Sequence, residues 1–410
     1  MLNIIAFCIL LLLMGLTMLI YWHRISTFLY NTKNLSSSDE ILYVNKDKPN
    51  KETRSIEEIM IAISIVFVFA IWCASRPIWV ADSVPYINYF ERLDVSTMDS
   101  FFNIDGQYRI GFEFFVKITK VLFGNNFRAC FFSIAFFNMT ILTIVMFKIE
   151  KGRPLLMVSL FIATFGIYYN YMVLRQGLAI SFVILAIYYI IKDKKILILV
   201  NVLIAIVCFH ESAIILLLFM FPISYLKQVP KKDNLLIILL LAVVLYFTKV
   251  GTQFLQILVR LIIETKLLPD AFNKYILYLE PGKYDISIMQ LINFTLTGYL
   301  IYIAYPKNNS NLKVNSNMQL CGTNFVISED RPYPIYYYKL LTINVIGQLI
   351  LGAFSSLIAV VRLVDYFLLT NVILLVYDNN YKKTTEKYVF VNLYIIIMLI
   401  FIMRMIYYMH

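Results

Sequence analysis

Residues 195–227 read KILILVNVLIAIVCFHESAIILLLFMFPISYLK, and this stretch decides the architecture. Lys195 and Lys227 enclose 31 residues, and the longest polar interruption is His210-Glu211-Ser212 near the middle. One helical crossing of the hydrocarbon layer takes about 20 residues, so two complete crossings take roughly 40. The stretch is too long for one crossing and too short for two. It predicts a hairpin whose His210 apex is drawn into the membrane. Polar backbone at that depth must be buried in protein or line a wet cavity, and a cavity open to the outside meets both demands. A histidine there is either a structural group bonded to a backbone carbonyl or a titratable group facing the cavity.

Working outward, the rest of the chain has the same character. Hydrophobic residues make up 60% of the 410 and charged residues 15%, and the mean hydropathy is +0.75. A soluble domain needs more polar cover than this. The fold class predicted is all-α: a polytopic helical integral membrane protein forming one membrane domain over residues 1–410. Apolar runs begin at Leu2, Ile56, Ala129, Leu155, Gln176, Ile196, Ser212, Leu235, Ile286, Leu340, Leu363 and Val389, which predicts about twelve transmembrane helices. A further segment, Ile110 to Gly124, is amphipathic. Glu113, Lys117 and Lys120 recur at helical spacing opposite Phe112, Phe115, Ile118 and Leu122, so it is expected to lie on the outer surface and not to span.

Basic residues set the expected orientation. The breaks at Arg24 to Arg54, Lys148 to Arg153, Lys192 to Lys195, Lys227 to Lys232 and Lys382 to Lys387 alternate as cytoplasmic loops would. Both termini then face outward. The first apolar segment has no basic n-region and reads as a retained anchor. The net charge of +11 follows from this loop bias and from attraction to anionic membrane lipid, not from nucleic-acid binding. Residues 306–336 are expected to form a flexible cytoplasmic loop, and residues 249–285 a periplasmic loop opening with an amphipathic helix that carries Phe254, Leu258, Leu261 and Ile262. The five cysteines imply no disulfide framework.

Ionisable residues inside apolar runs are the best pointers to function. Arg76, Arg175, His210 and Arg362 each lie 16 to 18 residues from a cytoplasmic anchor, at Glu58, Lys192, Lys227 and Asp378 respectively, or roughly 24 to 27 Å along a helix. That spacing predicts one layer just inside the outer boundary. Single arginines snorkelling from helix ends would look alike one by one, but four in one layer are less well explained that way. Several chemistries are missing from the sequence. No Gly-rich phosphate loop ends in Lys and Ser or Thr, so no use of ATP is predicted. With His23, His210 and His410 the only histidines, neither a catalytic metal nor another cofactor is expected. No Gly-x-Ser-x-Gly elbow occurs.

The landmarks also come in a recognisable order: Asp82, Tyr86 and Tyr89, then Gly111-Phe112-Glu113, Arg175-Gln176-Gly177-Leu178-Ala179, His210-Glu211-Ser212-Ala213, and Arg362 before Tyr366-Phe367. In this the chain resembles the EpsG family of Wzy-type bacterial polysaccharide polymerases, over roughly Ile56 to Tyr377. The resemblance implies a glycosyltransferase of the inner membrane that joins undecaprenyl-pyrophosphate-linked oligosaccharides into O-antigen, capsule or exopolysaccharide. The pathway's flippase and chain-length regulator are the further partners it implies. On that reading Arg175 and Arg362, supported by Arg76, hold the departing pyrophosphate, since arginine offers a forked donor set that stays charged. His210 is the general base, held by Glu211, with Asp82 in reserve, and Tyr86, Tyr89 and Glu113 contact sugar. A ligase shares this chemistry. A membrane O-acyltransferase would not require several arginines, and a flippase should show ionisable residues spread over the membrane depth.

Overall fold

The short hairpin breaks where its length requires. In the computed structural model of the chain, which describes residues 2–35, 56–80, 82–149, 154–264, 288–305, 318–320, 323–325, 333–355, 357–376, 394–397 and 400, the helix Lys195–Phe209 ends in a π-helical turn over Ala205–Phe209. His210 is then extended at φ −152° and ψ 117°, and its backbone N–H closes the turn on the Ala205 carbonyl at 2.8 Å. A 3₁₀ turn, Glu211–Ile214, starts the return leg, which runs to Ser224. Widened and tightened turns on either side of one extended residue expose backbone that a continuous helix would hide.

Helices form at the other apolar runs too: α1 (Leu2–Leu35), α2 (Ile56–Ala74), α3 (Ser83–Arg92), α4 (Met98–Phe102), α5 (Ile110–Phe123) and α6 (Phe127–Ile149). They are followed by Pro154–Tyr171, Leu174–Ile191, the broken hairpin, Lys232–Thr248, Val250–Glu264, Ile288–Ala304, Ile335–Phe354, Ile358–Leu368 and Thr370–Val376. The count of spans differs from the predicted twelve. Among the described residues five helices are long and apolar enough to cross a membrane: α2, α6, Pro154–Tyr171, Leu174–Ile191 and Ile335–Phe354. A sixth results if Lys232–Thr248 and Val250–Ile257, bent by 67°, are one span. Lys195–Phe209 and Glu211–Ser224 are apolar but reach only 15 and 14 residues, about 21 to 23 Å against a core of about 30 Å. An apolar run records burial, whether by lipid or by other helices. The protein is a helical membrane protein, and among its described residues not every apolar run forms a complete span. Most of 306–336, the end of the 249–285 loop and most of the run from Val389 lie outside the described residues; within the first, Met318–Leu320 pairs antiparallel with Thr323–Phe325.

The described helices group into two compact units, one holding residues up to Tyr188 with Leu203–Glu211 and the described residues beyond Tyr381, the other Tyr189–Val202 with Ser212–Asn380. In the first, the interior is tied by amides. Asn138 Nδ2 donates to Asn170 Oδ1 at 2.7 Å, Ser181 Oγ donates to Asn138 Oδ1 at 2.8 Å, and Asn170 Nδ2 donates to the Gly166 carbonyl at 2.9 Å. Gly177 makes this approach possible: a Cβ there would stand 2.5 Å from the Tyr169 carbonyl oxygen and 3.1 Å from Asn138 Nδ2. Small residues at membrane helix crossings let backbones come this close. Gly177→Val should therefore destabilise the protein by about 1–3 kcal/mol, the usual range for overpacking. The check is its thermal unfolding midpoint in detergent, and a wild-type midpoint would show that the two helices part freely.

In the second unit Asn344 links three helices. It accepts from Thr297 Oγ1 at 2.7 Å and donates to Asn371 Oδ1 at 2.6 Å, while Gln348 donates to Thr297 at 3.0 Å. One end of this unit carries a charged knot. Asp193 faces Lys195 at 2.6 Å and Lys339 at 3.3 Å, and both lysines also donate to the Ser224 carbonyl. The Lys195 ammonium, foremost, holds the Asp193 carboxyl below its usual range.

Helix α5 forms as predicted but faces the other way. Its charged side is the buried side: Glu113 and Lys117 are buried, whereas Ile118, Val121 and Leu122 are exposed. The reason is a set of carbonyls inside that need donors, described below.

Candidate functional site

The first unit gathers aromatic and charged side chains at the ends of its spans. Helix α2 stops at Ala74 because Arg76 precedes Pro77, which disfavours helix at the residue before it. Arg76 then turns inward. Its side chain is buried, with Nη1 donating to the Tyr171 carbonyl and the guanidinium 3.8 Å over the Phe131 ring. Its Nε and Nη2 meet no hydrogen-bond partner among the described residues. Burial pulls its pKa down to about 10, so it remains charged at neutral pH.

Asp82 is the residue before α3, exposed, and its side chain makes no capping bond to that helix. Tyr86 and Tyr89, three residues apart, share the buried side of α3. Tyr108 meets both, its ring 5.8 Å from Tyr86 and 4.6 Å edge-on from Tyr89, and Phe112 closes the cluster at 5.3 Å from Tyr108. Arg175, in the first turn of Leu174–Ile191, enters this cluster. Its Nε donates to Tyr86 Oη at 3.4 Å and its guanidinium stacks 4.6 Å over Tyr108. Burial raises the Tyr86 and Tyr108 pKa values, so both phenols stay protonated.

The His210 segment joins the same unit through α5. Gly111 allows the contact, for a Cβ on it would fall 2.5 Å from Cys208 Cβ. Phe209 stacks on Phe182 at 5.2 Å. One residue beyond His210, Glu211 accepts from Arg109 Nε at 2.9 Å, with both side chains about half exposed. Glu211 also lies within electrostatic range of His210 and Arg175. His210 itself is half-buried.

Sequence reading and structure differ in instructive ways here. Arg175, Tyr86, Asp82, His210 and Glu211 fall in one unit, as do Arg76 and Tyr89. Arg362 belongs to the other unit, in Ile358–Leu368, one turn before Tyr366, whose hydroxyl lies 3.1 Å from that of Ser212. Glu113 was expected to meet sugar. It is instead enclosed, 3.1 Å from Lys117 and accepting from the Asp105 backbone N–H at 2.8 Å. Tyr89 is packed beside it, and burial first, then the charge of Glu113, raise the Tyr89 pKa. Tyr108 and Arg109 were not among the expected site residues. Their signal was the aromatic-cationic pair just ahead of Gly111-Phe112, at the start of an amphipathic helix. No group of three or more His, Cys, Asp or Glu side chains able to hold a metal occurs among the described residues.

This arrangement can hold an anion near Arg175 and present hydroxyls and carboxylates to a polar ligand. Neither the curated proteins nor the solved structures contain a match to the chain. The profile of the EpsG family matches residues 58–410, from the first turn of α2 onward. That match takes in every landmark discussed above, and the chain belongs to the EpsG family, a family of Wzy-type polysaccharide polymerases.

Proposed function

We propose that the protein polymerises lipid-linked oligosaccharide repeat units at the outer face of the cytoplasmic membrane, with both termini on that side, and releases undecaprenyl pyrophosphate. The observation that carries this reading is Arg175, held by Tyr86 and Tyr108 next to the Arg109–Glu211 pair, in a chain of this family. In the reaction a sugar hydroxyl oxygen attacks the anomeric carbon of a second unit. The bond from that carbon to the pyrophosphate oxygen breaks, and its electron pair leaves with the pyrophosphate. Negative charge therefore grows on the leaving group, where a preorganised guanidinium acts best. Tyr86 accepts from Arg175, so its own proton is left to donate to a phosphate or sugar oxygen.

The attacking hydroxyl must lose its proton. His210 is the base in this proposal, since imidazole is the side chain best suited to accept a proton near neutral pH. Its backbone bond to Ala205 sets the orientation of the segment. Asp82, exposed beside the same aromatic cluster, is the reserve base. Arg76 supports Arg175 indirectly, by adding fixed positive charge near Tyr86. For Arg362 a pyrophosphate role rests on residue type alone.

The test uses purified full-length protein in nanodiscs with a synthetic undecaprenyl-pyrophosphate-linked repeat unit, no ATP and chelator present. A ladder of lengthened lipid-linked products is expected. Transfer to an unrelated lipid acceptor with no ladder would mark a ligase, and no product at all from the correct repeat unit would overturn the reading.

A further inference from the structure

Helix α5 has the amphipathicity of a water-soluble surface helix turned inside out. Its inward stripe is Phe112, Glu113, Val116, Lys117 and Lys120, and its outward stripe is Ile118, Val121 and Leu122. Glu113 is 1% and Lys117 2% exposed, whereas Ile118, Val121 and Leu122 are 48%, 56% and 68% exposed. In water, a helix of this composition would bury the second stripe and wet the first.

The inward lysines are fully employed. Lys120 Nζ donates to the carbonyls of Phe90, Glu91 and Leu93 at 2.7, 3.0 and 2.7 Å, which are the unpaired carbonyls where α3 ends. Lys117 does the same for α4, donating to Ser100 at 3.2 Å, Phe101 at 3.1 Å and Asn103. Terminal carbonyls need such donors, and a cation also suits the negative end of a helix. Away from bulk water, protein donors are the only ones available.

The position of α5 points the same way. Only Gly124-Asn125-Asn126 separates it from α6, with Gly124 at φ +66°. Phe115 meets Phe137 with ring centroids 5.5 Å apart. Phe137 lies ten residues into α6, or about 15 Å along its axis. The two helices thus form an antiparallel hairpin, and the start of α5 lies deeper than Phe115. The spans of this unit expose Ile63, Phe67 and Ile144 as α5 exposes its stripe.

We propose that α5 is a re-entrant membrane helix: its outward stripe contacts the acyl chains of the bilayer, while its inward lysines hold α3 and α4 in place from the membrane side. This does not depend on the reaction proposed above.

The experiment places a nitroxide at Ile118, Val121 or Leu122, and at Ser96 in the polar α3–α4 connection, in a cysteine-free full-length chain reconstituted in nanodiscs. Collision with oxygen should exceed collision with a water-soluble nickel chelate several-fold at the three α5 sites and be reversed at Ser96. Nickel access at the α5 sites equal to that at Ser96 would mean water, and protection from both reagents would mean a protein partner; either overturns the proposal. Should the cysteine-free chain fail to fold, Leu122→Asp and Leu122→Phe in the native background decide it. A several-fold loss of folded membrane protein for Asp but not Phe is expected, and equal abundance of the two would overturn it.

Discussion

Lysine in place of Arg175 should lower the rate of polymer extension by about 100- to 1,000-fold, the range seen when one fixed donor to a developing anion is removed. The charge survives this change, but the geometry does not. Arginine uses Nε on Tyr86 and its flat face on Tyr108, so on the proposed reading its terminal nitrogens serve the pyrophosphate. An ammonium is a compact, strongly hydrated point charge and cannot make the stacked and bonded contacts together. The site is half-buried and lies at the start of a helix whose packing depends on Gly177, two residues on. Folding should therefore survive, and detergent-purified Arg175→Lys should elute and melt like the parent. The measurement is initial-rate extension of the lipid-linked repeat unit, with binding of that unit followed separately. Parent-like extension by the lysine variant would reduce Arg175 to a packing group and remove the main support for the pyrophosphate site.

Glutamine in place of His210 should cost about 100- to 10,000-fold in the same assay, the usual contribution of a positioned general base. The substitution preserves the backbone feature that shapes the segment, because the hydrogen bond from its backbone N–H to the Ala205 carbonyl does not involve the side chain. The pH dependence discriminates further. A base acts in its neutral form, so wild-type rate should fall as pH drops through the histidine pKa, ordinarily about 6.5. The Gln variant should be slow throughout and lack that inflection. Near-normal extension by His210→Gln would transfer the role to Asp82. A retained acid inflection in a slow variant would assign that inflection to another group.

Several residues of the candidate site are singled out by one rule: an ionisable residue within an apolar run is costly and points to function. Arg175 and His210 stood out for that reason, and the shortfall of residues between Lys195 and Lys227 foretold the break at His210. Arg109 and Tyr108 did not stand out, since they sit in a polar loop where such residues are ordinary. Glu113 was misleading in the opposite sense. A carboxylate next to Gly-Phe looks available, and only the positions of Lys117 and the Asp105 amide reveal that it is enclosed.

What the sequence determined by itself is the medium and the family: 60% hydrophobic residues point to a membrane, and the ordered landmarks lie within the match to the EpsG family. Apolar runs also located most of the described long helices, and periodicity located α5. Tertiary structure decided where the described helices break and which side of α5 faces inward. Hydropathy does not distinguish a residue covered by lipid from one covered by another helix, and a helical stripe does not say what lies against it. Both are settled by long-range partners: the carbonyls ending α3 and α4 draw the lysines of α5 inward, and Gly177 draws Tyr169 close.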